Sequence, residues 1–138
     1  MNAIFLDVEL TLIQSMDNPK EMDFAHKIFD FVRGKENIFI FSWAIHNNTD
    51  KFSFFNSPTF KWICENLNVQ IPIENIITKD SVKETYCLSK EFAFELFCRS
   101  DERCQNFSNM LLIDDTVENK IVNIGNKQIT FLQANKEM

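Results

Sequence analysis

The stretch AIFLDVELTLI, residues 3–13, ends an apolar run on Asp7 and follows it with Glu9 and Thr11 at two-residue steps. A carboxylate placed directly after a buried strand must be solvated or matched by a partner, because desolvating an isolated charge is too costly. A second apolar run, MLLID at 110–114, ends the same way, in Asp114-Asp115. Ser42 closes the run NIFIFS, and Thr78 closes NIIT. If these runs are parallel strands of one sheet, all of these polar groups arrive at the carboxyl ends of the strands, where open α/β sheets bind their ligands. Two carboxylate clusters meeting there repel each other and require a proton or a cation. For ligands that are all oxygen, magnesium is the natural counter-ion. A cap on a following helix would explain one acid of the Asp114-Asp115 pair and not the other.

The rest of the chain supplies the elements that such a site needs. Residues 3–8, 37–42, 75–78, 110–114 and 128–133 read as five strands, the longer ones continuously apolar as in a parallel sheet covered on both faces. Between them, Met22, Ala25, Ile28, Phe29 and Val32 fall at three- and four-residue steps and predict a helix over 21–32, stopped at Gly34. Ser57-Pro58 opens a second helix that carries Phe60, Ile63, Cys64 and Leu67. Ser89 caps a third, SKEFAFELFCR, and ENKIVNIG, ended by Gly125, reads as a short fourth. The stretch 43–56 has no clear period and reads as a loop over the surface. Alternating strands and helices predict an α/β fold, a three-layer sandwich around a central, mostly parallel five-stranded sheet.

Composition narrows the classes of function. A chain of 138 residues with 45% hydrophobic content fits one domain with one core, so residues 1–138 are expected to form a single unit. A net charge of −6 argues against broad nucleic-acid or anionic-membrane binding, which needs a basic footprint. Apolar runs such as IFIF are far shorter than the roughly 18 residues of a membrane span, and the first residues do not resemble a secretory leader, so a cytoplasmic protein is expected. The cysteines at 64, 87, 98 and 104 lack the two-residue spacing of a zinc knuckle, with only His26 and His46 to complete a set. They read as reduced, mostly buried thiols.

The ordered set of motifs resembles the haloacid-dehalogenase-like (HAD) phosphohydrolases. FLDVELT is similar to their first motif, an apolar strand leading into Asp-x-Asp-x-Thr; IFIFS resembles the second, and MLLIDDTVEN the fourth. The third is a lysine upstream of that last strand, for which Lys90 is the choice, with Lys79 and Lys83 nearby. The resemblance covers nearly the whole chain and implies a HAD-like, Rossmannoid fold and a magnesium-dependent phosphatase. Asp7 would be the nucleophile that forms an aspartyl-phosphate. Ser42 and Lys90 would hold the phosphoryl oxygens. Magnesium would bind Asp7, the backbone carbonyl of Glu9, Asp114 and Asp115, while Thr11 would steady the turn after the first strand. Asn119 falls where many members carry another acid. The departure is Glu9, which stands where the phosphatases usually have the Asp that serves as general acid and base. One extra methylene matters there, since a roughly 1 Å misplacement can cost on the order of a hundredfold in rate. The competing expectation is a chain that kept the fold and lost the chemistry, acting as a binding or inhibitory module.

The intervals between Asp7 and Ser42, and between Ser42 and Lys90, are too short to house a folded cap domain beside the core elements. Capless members leave their sites open, and by resemblance many act on nucleotides, nucleic-acid ends or proteins. In the segment 43–56, Trp43 could stack a substrate ring, Phe52, Phe54 and Phe55 could roof the site or fill the core, and His46 lies close enough in sequence to touch substrate. The acidic balance favours a small or locally bound substrate, such as a nucleotide, over a long polynucleotide.

Overall fold

The computed structural model describes residues 2–82 and 89–138. Among them, six strands form one sheet: β1 (Asn2–Leu6), β2 (Ile38–Phe41), β3 (Ile76–Ile77), β4 (Asn109–Asp114), β5 (Lys120–Ile124) and β6 (Lys127–Gln133). Their spatial order is β3-β2-β1-β4-β6-β5. All neighbours are parallel except β5, which runs antiparallel to β6. Helices α1 (Ala25–Val32), α2 (Asn48–Phe55), α3 (Pro58–Leu67) and α4 (Lys90–Ser100) connect them. The mixed α/β architecture matches the expectation, and the sheet has six strands where the sequence pattern predicts five. No helix of the described residues is long and apolar enough to cross a membrane.

Side chains alternate across the central strands and divide the core by type. Ile4 and Leu6 of β1, with Ile38 and Ile40 of β2, meet Ala25, Ile28, Phe29 and Val32 of α1 and Ile63 and Leu67 of α3. On the opposite face Phe5, Phe39 and Phe41 meet Phe94 and Phe97 of α4. The Phe5 ring stacks on Phe39 at 4.7 Å between centroids and takes Phe94 edge-on at 5.0 Å. Helices therefore cover both faces, which is why these strands carry continuous apolar runs.

The caps explain where two helices start. The Ser57 hydroxyl accepts from the Phe60 N–H at 3.2 Å, with Pro58 in the first turn of α3. Ser89 does the same for Phe92 at the start of α4.

Three elements differ from the sequence pattern. Residues 120–124, expected in a short helix, are strand β5, with Ile124 opposite Lys127 across a Gly125-Asn126 turn. The β-branched Ile121, Val122 and Ile124 suit a ladder, and Gly125 at φ +60° supplies the left-handed turn that a two-residue hairpin needs. Helix α2 occupies much of the stretch expected to be loop. Only Phe54 of it is buried, so it shows no apolar stripe, and its start depends on Asn47, whose side chain accepts from the Asp50 N–H. Helix α1 begins at Ala25 instead of residue 21 because Glu21 bridges to Ile13 and the Met22 N–H donates to Leu12 O, holding those residues in the loop after β1.

Phe5 is fully buried at the centre of the aromatic layer. Phe5→Ala is expected to cost about 3–5 kcal/mol, read as a lower urea midpoint with an unchanged slope. Phe92→Ala, on the exposed side of α4, is expected to stay within about 0.5 kcal/mol of the parent.

Candidate functional site

The chain leaves β1 toward β2 and β3 on one side, then returns through α4 to place β4 on the other side of β1. The order therefore reverses between β1 and β4, the position at whose carboxyl ends open α/β sheets bind their ligands. Register delivers the acids to that point. Leu6 pairs with Ile113, and the Asp7 N–H continues the ladder onto Ile113 O at 3.0 Å, so Asp7 and Asp114 emerge side by side. Asp115 completes the group: one carboxylate oxygen from each of Asp7, Asp114 and Asp115 lies within 4.8 Å of the other two.

Lys90 is the cation that meets them. Its ammonium is 3.0 Å from Asp7 Oδ1 and also contacts Asp114 Oδ2. Phe41 and Trp43 flank it, with ring centroids 5.8 and 5.4 Å from Nζ. Lys90 opens α4, where a positive charge opposes the helix dipole. Two carboxylates in a poorly screened crevice more than offset that local cost. Of the other lysines considered, Lys79 sits in a turn after β3, and Lys83 lies outside the described residues.

Three carboxylates face this one ammonium, so charge is not balanced when all are ionised. Asp7 is 5% exposed and Asp114 is fully buried. Burial, opposed by Lys90 and reinforced by Asp114, pushes the Asp7 carboxyl up to about 7. Burial and the neighbouring Asp114 also move Asp115 upward. Asp114 Oδ1 accepts from both the N–H and the hydroxyl of Thr116, at 2.7 and 2.6 Å. Asp114 Oδ2 has the Lys90 ammonium beside it and no hydrogen-bond donor otherwise among the described residues. An all-oxygen group with excess negative charge fits a hard divalent cation.

The loop after β1 holds the remaining residues of the first motif. The N–H groups of Thr11, Leu12 and Ile13 converge on Val8 O at 3.3, 2.8 and 3.2 Å. Leu10 adopts φ +60° in this turn, a left-handed conformation that strains a leucine and is tolerated where surrounding bonds enforce it. Thr11 is buried and its hydroxyl donates to Asp7 Oδ2 at 3.1 Å, so it orients the carboxylate as well as the turn. Glu9 Oε2 accepts from the Met16 N–H at 2.6 Å, which anchors the loop with a carboxylate that stands outside the three-acid group.

The other sequence candidates fall at different distances from this centre. Ser42 is buried just past β2, and its Oγ accepts from the Ala44 N–H at 3.3 Å. Trp43 packs on Phe41 at 5.0 Å between centroids and contributes to the wall around Lys90. His46 is exposed, and its backbone holds Asp50 Oδ2 and the Asp80 N–H. Asn119 Oδ1 accepts from the Gln133 N–H at 2.6 Å and ties the β4–β5 turn to the end of β6. Thr78 turns its carbonyl to the N–H and hydroxyl of Ser81. Of the aromatic residues, Phe54 is core and Phe52 is exposed. Thr116 was not singled out from the sequence; a threonine two residues beyond an aspartate is the signal for such a turn.

No family model, curated protein or solved structure matches this chain.

Because Asp7 titrates higher folded than unfolded, the native state binds more protons between its ordinary 3.8 and about 7. Stability from this group is therefore full below pH 4 and is lost as pH rises through 7. In chelator at pH 8, Asp7→Asn is expected to raise stability by roughly 1–3 kcal/mol. Thermal melts across pH should show the gain shrinking toward pH 4.

Proposed function

We propose that the chain is a magnesium-dependent phosphomonoester hydrolase of HAD-like fold, in which Asp7 is the nucleophile. The observation that carries this reading is the buried Asp7–Lys90–Asp114 contact at the point where the strand order reverses. It supplies a carboxylate, a cation for phosphoryl oxygens and an acidic group for a metal within one crevice. The order Asp7, Ser42, Lys90, Asp114-Asp115 along the chain agrees with the resemblance. Cytoplasmic residence suits Cys64, Cys98 and Cys104, which are unpaired.

Asp7, Asp114, Asp115 and the carbonyl of Glu9 would hold the cation. A magnesium ion held there would supply positive charge to the carboxylates and to the phosphoryl oxygens. One oxygen of Asp7 attacks phosphorus; the bond to the ester oxygen breaks and the leaving alcohol takes a proton from Glu9. Water then attacks the aspartyl-phosphate, passes a proton to the Glu9 carboxylate and frees inorganic phosphate and Asp7. Thr11 orients the nucleophile throughout. Lys90, now shared by Asp7 and Asp114, binds the phosphoryl oxygens, and the Ser42 hydroxyl donates to them.

The hold of Glu9 on the Met16 N–H favours a second reading, a HAD-like module that binds ligand without turnover. In that case the glutamate is a loop anchor only.

Phosphate release separates the two. With magnesium, the parent chain is expected to hydrolyse phosphomonoesters, and chelator or Asp7→Asn to abolish release. Lys90→Met should lower kcat/KM by about 10²–10³-fold, as removal of one transition-state contact does. Glu9→Gln should remove most turnover and Glu9→Asp should retain or raise it. Silence from the folded parent and from Glu9→Asp, across mononucleotides, phosphosugars and an aryl phosphate, would leave the binding module.

A further inference from the structure

A second concavity, of about 240 Å³, opens between the loop after β1 and the start of the β2–β3 connection. Met16, Ile45 and Phe54 form its apolar wall, and Asp50, Ser53 and Thr59 bring polar groups to it. Two hydrogen bonds already described link its lining to Glu9 and Ser42. Met16, which lines it, donates its N–H to Glu9, and Ala44, which also lines it, donates to Ser42 Oγ. Two residues of its lining therefore hold the side chains to which the phosphatase reading gives the acid and hydroxyl roles.

The lining sets the chemistry of the occupant. Its one charged group is the Asp50 carboxylate, whose Oδ2 accepts from the His46 N–H; no donor reaches Oδ1 among the described residues. No lysine or arginine of the described residues lines it. Acceptor oxygens and the hydroxyls of Ser53, Ser57 and Thr59 over an apolar floor suit a ring that carries hydroxyl or amino donors, and a second anionic group would face Asp50 with no cation to meet it. The volume lies below the roughly 300–1,000 Å³ of drug-sized pockets, so it admits one small moiety and not a polymer.

We propose that this cavity is the leaving-group subsite of the phosphatase, and that it takes a neutral, donor-rich alcohol of sugar or nucleoside size. The substrate class is then a monophosphate of such an alcohol, with esters bearing further phosphates and nucleic-acid ends disfavoured. This inference rests on the phosphatase reading, but binding of the free alcohol tests it without turnover.

The test follows the methyl signals of Met16, Ala44 and Ile45 by NMR while adenosine or ribose is added to the full chain. Shifts confined to these methyls and their neighbours are expected, and Ser53→Trp, which fills the cavity from an exposed helix position, should weaken them about tenfold. In phosphate release, AMP should exceed adenosine 3′,5′-bisphosphate by about tenfold or more in kcat/KM, and Asp50→Asn, which keeps an oxygen for the His46 N–H, should narrow that ratio. The absence of methyl shifts with both free alcohols, or equal use of the two phosphates, would overturn the subsite. Methyl shifts without phosphate release from any ester would overturn the phosphatase reading and leave a binding cavity for neutral alcohols.

Discussion

The burial of Asp7 and Asp114 around the Lys90 ammonium is the constraint on which the rim of this protein depends. Two carboxylates on neighbouring strands, one nearly and one wholly removed from water, are tolerable only with a charge partner fixed between them. That partner sits on the first residue of α4, so the helix start has to be held as firmly as the strands. Ser89 caps it, and Glu91, one residue on, pairs with Lys120 and accepts from the Glu118 N–H, tying α4 to the β5 hairpin. Thr11 and Thr116 then satisfy the carboxylate oxygens that face away from the lysine. Even so, burial, reinforced by the neighbouring Asp114 charge, drives Asp7 and Asp115 toward protonation.

The aromatic layer does for geometry what these contacts do for charge. Phe5 and Phe41 receive Phe94 and Phe97, and Phe41 with Trp43 borders the Lys90 ammonium. Packing that seats α4 thus also seats its lysine, because rings that meet edge to face have a preferred geometry in addition to buried area. The other face is mostly aliphatic and carries α1 and α3, away from the acids. Between the two, the turn after β1 spends a strained Leu10 to bring three N–H groups onto one carbonyl. The same turn orients Asp7 through Thr11 and places Glu9 and Met16 at the boundary between the acidic crevice and the neighbouring cavity.

The apolar runs made the central strands legible, since a strand covered on both faces has no choice but to be apolar throughout. Asp7 and Asp114 were legible for a related reason, as charges set where such runs end. Strand β5 was not, because a short segment with isoleucines and a valine near a glycine suits a helix stop as well as a hairpin, and only pairing with β6 distinguishes them. Helix α2 was hidden because a helix with one buried residue leaves no periodic trace.

By itself the sequence determined the central apolar strands, the rim at which the acids emerge and the order in which those residues arrive, because these depend on local patterning and on strand polarity. The tertiary structure decided which side chains meet. The sequence favours Lys90 with Lys79 and Lys83 as neighbours, and the α4 crossing to β4 is what brings Lys90 between Asp7 and Asp114. Likewise, the resemblance implies a catalytic acid at Glu9, and its hold on the Met16 N–H is set by a loop that folds back on itself. Distances of a few ångströms between groups far apart along the chain govern charge and proton affinity, and only packing sets those distances.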